Sequence, residues 1–306
     1  MKKVNLTLII VWCVIGSLVL GLLVSGFVWD SMPGHNRVPD DKASGLVAEL
    51  TSGLDGINRI LIDLTSEDCV IIPVDEGAIT IKQYGRNLPE YRIARLERNS
   101  GTLAVTTRRR GSFQFFRFGP RNEYSRVEVY LPLSFHDKLA IDMTSGTIDF
   151  AGTLDVSDLN IDITSGTVRS DNEIRADNAV FDLTSGNIRL NGGLVTQNYL
   201  IDLTSGSVRV EGNTTGSGRI DITSGSVRLF GAEIAESLDI DLTSGTVEVQ
   251  VAGDPGIQFT GDKTSGTFST YFDLNKNGGR YTGTAGNEPF KNINADITSG
   301  TVRITK

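Results

Sequence analysis

The pentad Asp-x-Thr-Ser-Gly occurs eight times in this 306-residue chain, beginning at Asp142, Asp162, Asp182, Asp202, Asp221, Asp241, Asp262 and Asp296. The successive intervals are 20, 20, 20, 19, 20, 21 and 34 residues. A period near 20 leaves no room for a helix between strands, and self-similarity at such a period marks a solenoid whose repeats stack on their neighbours. With each repeat numbered from its Asp, positions −3, −1 and +1 are apolar in most copies (Leu159, Ile161, Ile163), and so are +6 and +8 (Ile188, Leu190). Alternation on both sides of the Ser-Gly pair predicts two strands meeting at a corner. The β-branched residues then point inward, and the Asp at 0 and the Thr at +2 point to water. Gly at +4 predicts a backbone with positive φ at that corner. Strands of successive coils pair in parallel, about 4.8 Å apart.

The same register recovers irregular coils upstream. Around Asp63 the inward slots hold Ile60, Ile62, Leu64, Cys69 and Ile71, with Glu67 where the pentad has Gly. Around Glu97 they hold Ala94, Leu96, Leu103 and Val105. The fold class is therefore all-β, a single-chain parallel β-solenoid of about 20-residue coils, preceded by one N-terminal transmembrane helix. The expected division is a cytoplasmic stub and anchor over 1–29, a Pro-, Gly- and Asp-rich linker over 30–57, and an ectodomain over 58–306. Within the ectodomain the coils are irregular over 58–140 and regular over 141–306. Cys69 occupies a core slot of the kind filled by Val elsewhere, which speaks against redox or catalytic work.

Leu6 to Val28 carries no charge and is long enough to cross a bilayer, which takes about 20 apolar residues. Lys2 and Lys3 precede it and Asp30, Asp40 and Asp41 follow it, so the positive-inside bias puts the N-terminus in the cytoplasm. A cleaved signal peptide is the rival reading, but its apolar region runs only about 7–15 residues. The expected location is the cell membrane, as a single-pass protein anchored by residues 6–28 with its C-terminal domain outside the cytoplasm. Cys13 would lie in the bilayer and so cannot pair with Cys69.

Charge and composition exclude several functions. With 29 Lys and Arg against 37 Asp and Glu, a net charge of −8 argues against nucleic-acid binding through a basic face. Two Cys and two His cannot build a disulfide framework or a Cys/His zinc site. One Asp per coil, even with a Thr hydroxyl, falls short of the six to eight oxygens that Ca²⁺ takes, so no metal or cofactor is expected. A Thr face for ice binding is broken by the Ser-Gly corner and by Asn187, Ser207 and Ser226 at +5. No catalytic residue is expected either: the carboxylates are periodic, and neither His35 nor His136 lies beside an obvious nucleophile.

One segment departs from the repeat in a way that suggests a contact site. In RRRGSFQFFRFGPR, Arg108, Arg109, Arg110, Arg117 and Arg121 are interleaved with Phe113, Phe115, Phe116 and Phe118, and no acid intervenes. These nine residues form a candidate surface for an anionic envelope polymer, a lipid or a protein partner. The alternative is a hairpin whose Phe side chains cap the stack while the Arg side chains stay in water. A second break, residues 271–290, has Asn277, Gly278 and Gly279 between short strand-like runs and predicts a hairpin. The last coil, ADITSGTVRITK, keeps the full pattern, so an open edge and self-association through this C-terminal coil are expected.

The N-terminal apolar segment, the strand-rich stretch IDLTSEDCVIIPVDEGAITIK and the serial D-[ILM]-T-S-G-[TSN]-[VI] repeats resemble a bacterial family known as the "putative-adhesin" family. Its members are membrane-anchored envelope proteins with a β-strand-repeat domain of unknown function. The resemblance spans residues 58–306 and implies a β-solenoid ectodomain with a non-enzymatic, adhesin-like interaction or scaffold role. The alternatives are a polysaccharide-acting β-helix enzyme and the sensor component of an envelope-stress system.

Overall fold

The computed structural model describes residues 45–107 and 124–306. The expected anchor over 6–28 and the Arg-Phe segment both fall outside the described residues. No helix among those described is long and apolar enough to cross a membrane. Apart from one 3-10 turn, Glu90–Arg92, their regular structure is β-strand.

The regular coils follow the pentad. They comprise β8 (Lys138–Met143), β9 (Thr147–Phe150), β10 (Leu154–Ser170), β11 (Ile174–Leu190), β12 (Leu194–Val210), β13 (Thr214–Ile222), β14 (Ser226–Leu242) and β15 (Thr246–Val251). Each pairs in parallel with the next coil at an offset of one repeat, so Asp142, Asp162, Asp182, Asp202, Asp221 and Asp241 stand side by side. Leu159, Ile161, Ile163 and Val168 are buried, while Asp162 and Thr164 are exposed. Burying each such aliphatic side chain contributes roughly 1.5–3 kcal/mol, and stacking coil on coil adds up those contributions along one continuous core. A coil has one straight run more than the two expected. In β10 the alternation lapses at Ser157–Asp158 and again at the Thr-Ser-Gly corner, so Leu154 and Val156 form a separate inward pair.

Glycine at +4 is required by backbone packing as well as by φ. Gly206 has φ of +118°, and a Cβ there would lie 2.0 Å from the carbonyl oxygen of Gly186, the same position one coil earlier. No flexible side chain is available to yield at that contact.

The start of the stack departs from the repeat. It comprises β1 (Gly45–Gly53), β2 (Arg59–Leu64), β3 (Asp68–Val74), β4 (Ala78–Arg86), β5 (Arg95–Asn99), β6 (Thr102–Thr106) and β7 (Tyr124–Pro132). Strands β2 and β3 make the first coil, parallel to β8 and β9. Outside it, β6 adds to β2 and β7 to β3, again in parallel. Antiparallel strands follow: β5 on β6, β4 on β7 and β1 on β4. Strand β1 lies inside the stretch read as linker. The stretch around Glu97 is a tight hairpin and not a coil. Asn99 pairs with Thr102, and Ser100 (φ 46°) and Gly101 (φ 80°) form the two-residue turn. Two successive positive φ values define the type I′ turn, whose twist suits a hairpin. The same Ser-Gly dipeptide therefore serves a corner in one place and a reversal in another.

The C-terminal end overturns the expected open edge. It comprises β16 (Gly256–Lys263), β17 (Thr267–Thr270), β18 (Asn275–Asn277), β19 (Arg280–Ala285), β20 (Phe290–Ile297) and β21 (Thr301–Thr305). Strand β20 pairs with β14 on one side and β16 on the other, and β21 likewise lies between β15 and β17. The last coil in sequence is thus the penultimate one in space, and its backbone groups are paired on both flanks. After β15 the chain skips one place to build the outermost coil, then forms the expected β18–β19 hairpin, in which β19 covers β16 antiparallel. It then returns to fill the gap, and this detour accounts for the 34-residue interval. Phe268, Tyr271, Phe272, Leu274 and Tyr281 close this end of the core with edge-on ring contacts, Phe259 to Phe268 at 5.3 Å and Tyr271 to Phe272 at 5.0 Å. Because the Asp262 coil is outermost, Lys263 in its +1 slot escapes the core: its Nζ donates to the Gly266 carbonyl (2.9 Å) and sits over the Tyr281 ring at 4.6 Å.

Candidate interaction surfaces

Arg108, Arg109, Arg110, Phe113, Phe115, Phe116, Arg117, Phe118 and Arg121 lie outside the described residues; the strands that precede and follow them, β6 and β7, are described. Thr106 of β6 stands opposite Asp63 of β2, an offset of 43, and Arg126 of β7 stands opposite Asp68 of β3, an offset of 58. The offset grows by 15 residues at the place where Thr65, Ser66 and Glu67 turn the corner of the first coil. The two strands are thus separated by a stretch of chain longer than the corner of the first coil.

The corner of the first coil is held by a buried ion pair that the sequence reading did not find. Glu67 is fully buried, and its Oε2 accepts from the amides of Thr65 (2.9 Å) and Ser66 (2.8 Å). Its Oε1 lies 2.8 Å from the Arg92 guanidinium. Beside it, Gln83 is equally buried and satisfied: Nε2 donates to the Arg92 carbonyl (2.9 Å) and to Ser125 Oγ (3.0 Å), and Oε1 accepts from the Ala94 amide (2.7 Å). Buried charge needs such partners, so one face of this corner is fixed by polar contacts and not by the glycine used in the other coils.

Two outward columns run along the regular coils. On the strand before the corner, the carboxylates of Asp142, Asp162, Asp182 and Asp202 repeat at strand spacing. Partial loss of solvent, with Asp182 and Asp142 alongside, raises Asp162 above its ordinary value, and Asp202 is raised for the same kind of reason. Arg219 relieves the later part of the column, its guanidinium 2.9 Å from Asp221 and 2.6 Å from Asp241. An open groove of about 620 Å³ follows this part of the column, from Asp202 to Asp262, with Gly279 of the terminal hairpin on its rim.

On the strand after the corner, Arg169, Arg189, Arg209 and Arg228 stand side by side in the same four coils that carry Asp162, Asp182, Asp202 and Asp221. Glu248 follows in the next coil, 3.4 Å from Arg228 and 3.7 Å from Arg303. Arg209 is oriented by Glu211 and by the Phe230 ring, 4.6 Å from its guanidinium carbon. Arg189 has no ion pair among the described residues. The +5 column (Thr167, Asn187, Ser207, Ser226) runs beside the arginines, with Ser207 Oγ donating to Asn187 Oδ1 at 2.7 Å.

No group of three or more His, Cys, Asp or Glu among the described residues could hold a metal ion. His136 Nδ1 lies 3.9 Å from an Asp155 carboxylate, both well exposed. Burial pushes the Cys69 thiol far above its ordinary value, so it is not a thiolate at neutral pH.

A family profile described as Toastrack DUF4097 matches residues 57–305. The chain belongs to this family. It is a family of "putative adhesin" type whose β-repeat domain has no assigned function, in keeping with the resemblance drawn from the repeats. Among solved structures, a "putative lipid binding protein" from Parabacteroides distasonis is 14% identical, with 85% of this chain and 96% of that one covered and a TM-score of 0.56. A "putative adhesin" from the same species is 12% identical over 86% and 98% of the two chains, with a TM-score of 0.47. A "putative cell adhesion protein" from Clostridium sporogenes is 11% identical over 84% and 98%, with a TM-score of 0.27. At these identities the first likeness speaks for the fold. No curated protein matches the sequence.

Proposed function

We propose that this Toastrack protein is a single-pass, membrane-anchored β-solenoid facing out of the cytoplasm, where it works by adhesin-like binding or scaffolding and not by catalysis. One observation carries the reading: the outward side chains of the coils form in-register columns along the stack, a surface suited to an extended partner. The uncharged stretch from Leu6 to Val28, with Lys2 and Lys3 before it, supports the anchor and its orientation. The segment carrying Arg108, Arg109 and Arg110 adds a second contact region for anionic polymer or lipid. Crosslinking the anchored protein in intact cells, followed by recovery and identification of what is attached, tests the proposal. Envelope polymers, lipids or envelope proteins are the expected partners. Cytoplasmic partners alone, or complete resistance to added protease when an outer-surface control is cut, would overturn it.

A further inference from the structure

The arginine column sets four like charges side by side on neighbouring strands. Four guanidinium groups at strand spacing, about 4.8 Å, lie well within a Debye length of one another. Like charges directly opposite on neighbouring strands destabilise a sheet. Glu211 and Glu248 reach the two later members, yet Arg189 in the middle carries no counter-charge among the described residues. The column also lines a groove of about 530 Å³, where Arg189, Arg209 and Arg228 stand among Asn191, Ser207 and Ser226, with Glu211 as its one acid. Arg209 is already oriented by Phe230 and Glu211, which lowers the ordering cost of receiving a ligand.

We infer that this column is a binding track for a linear acidic polysaccharide, laid along the stack with its carboxylates on Arg169, Arg189, Arg209 and Arg228. A pyranose ring is about as long as the strand spacing, so the carboxylates on the side of the chain turned to the sheet come within reach of the guanidinium column, whose planar forks suit bidentate pairing. Sugar hydroxyls then meet the Asn187, Ser207 and Ser226 side chains two residues away on the same face. Among acidic polymers, this row of hydrogen-bonding side chains favours a hydroxyl-bearing chain over a polyphosphate. Asp149 and Glu248 bound the track at its two ends, so it accommodates a four-residue stretch.

The inference rests on the binding role proposed above and names its ligand class. The test compares the full-length protein in detergent with a variant carrying Arg189→Gln, Arg209→Gln and Arg228→Gln, and with a charge-matched control carrying Lys276→Gln, Arg280→Gln and Lys291→Gln. The probes are polygalacturonate, its methyl ester and polyphosphate. The parent and the control should bind polygalacturonate in a salt-sensitive way and ignore the ester, and the track variant should bind it roughly tenfold more weakly or worse. The track variant should melt close to the parent, because relief of like-charge repulsion offsets the exposed contacts that Arg209 and Arg228 lose. Undiminished binding by the track variant, equal binding of the ester, or preference for polyphosphate would overturn the inference. If the track variant still recovers the same crosslinked partners in cells, the binding role stands and the arginine column is excluded as its site.

Discussion

The coils between Lys138 and Val251 and the strands at the two ends of the stack share the same inward-outward alternation, yet they choose partners differently. In the regular coils each residue pairs with its counterpart one repeat away, and order in sequence is order in space. At the ends that equivalence fails. The start switches to antiparallel strands, and the finish places its last coil inside its second-to-last. The difference follows from edges. An interior coil has both edges paired by identical neighbours, whereas a terminal coil would present a row of unpaired amides and carbonyls. The antiparallel pair β4–β1 and the hairpin β18–β19 occupy those places with strands that need no further coil.

Removing the C-terminal coil should have the largest effect. A chain ending at Asn287 keeps every outer strand but loses the coil between β14–β15 and β16–β17, so two facing edges and both their apolar layers open at once. We expect loss of the cooperative melt and aggregation; an unchanged melt would mean that the last coil is peripheral. Next is Gly206→Val, which meets positive φ and a backbone carbonyl together and should cost upwards of about 4 kcal/mol. At Gly53, in the edge strand β1, a Cβ meets nothing within 4 Å, so Gly53→Val should stay within about 0.5 kcal/mol. Similar losses at both positions in thermal melts would erase the distinction between interior and end.

Glu67→Ala comes third. It leaves the mostly buried Arg92 guanidinium without its carboxylate and two corner amides without an acceptor, at a cost of about 3–5 kcal/mol. A loss under 1 kcal/mol would show that the first coil turns its corner without the pair.

Much of this was legible in the sequence because the repeat states its own register. The inward slots at −3, −1, +1, +6 and +8, the parallel pairing and the glycine corner all follow from alternation around a fixed pentad. What escaped has a physical reason in each case. Leu154 and Val156 lie before the pentad in a run that varies between copies, so the third run of the coil left no common signature. Asn99-Ser100-Gly101-Thr102 differs from a corner only in backbone sign, which the dipeptide does not declare. Glu67 was visible as a replacement for Gly, but its partner Arg92 is 25 residues away in an irregular stretch. The order of the last two coils was hidden because all coils carry the same consensus, so sequence alone could not say which sits inside. The arginine and aspartate columns were visible as positions +7 and 0; that one Arg lacks a counter-charge required coordinates.

The smallest effects concern the aspartate column. Asp202→Asn removes one member of a solvated row and should change stability by well under 1 kcal/mol. The raised pKa values of Asp162, Asp202 and Asp241 mean that the folded state holds these protons more tightly than the unfolded chain. Their contribution is fully present below the ordinary carboxylate value near 3.8 and fades as pH rises through the folded values. Acidification toward pH 4 should therefore raise the melting temperature of the parent relative to a variant with all three changed to Asn. A parent that loses ground to that variant on acidification would mean the carboxylates are stabilised in their charged form, as ligands or ion-pair partners.

Paired cysteines measure the placement of the last coil between its neighbours directly. Thr301 lies beside Thr246 on one flank and beside Thr267 on the other, which puts a whole coil between Thr246 and Thr267. With Cys13 replaced by Ser, Thr246→Cys with Thr301→Cys and Thr267→Cys with Thr301→Cys should each form a disulfide on mild oxidation, since neighbouring strands bring Cα atoms within bridging range. Thr246→Cys with Thr267→Cys should not. Ready bridging of Thr246→Cys to Thr267→Cys, with failure of both pairs that include Thr301→Cys, would place the coils in sequence order and contradict the insertion.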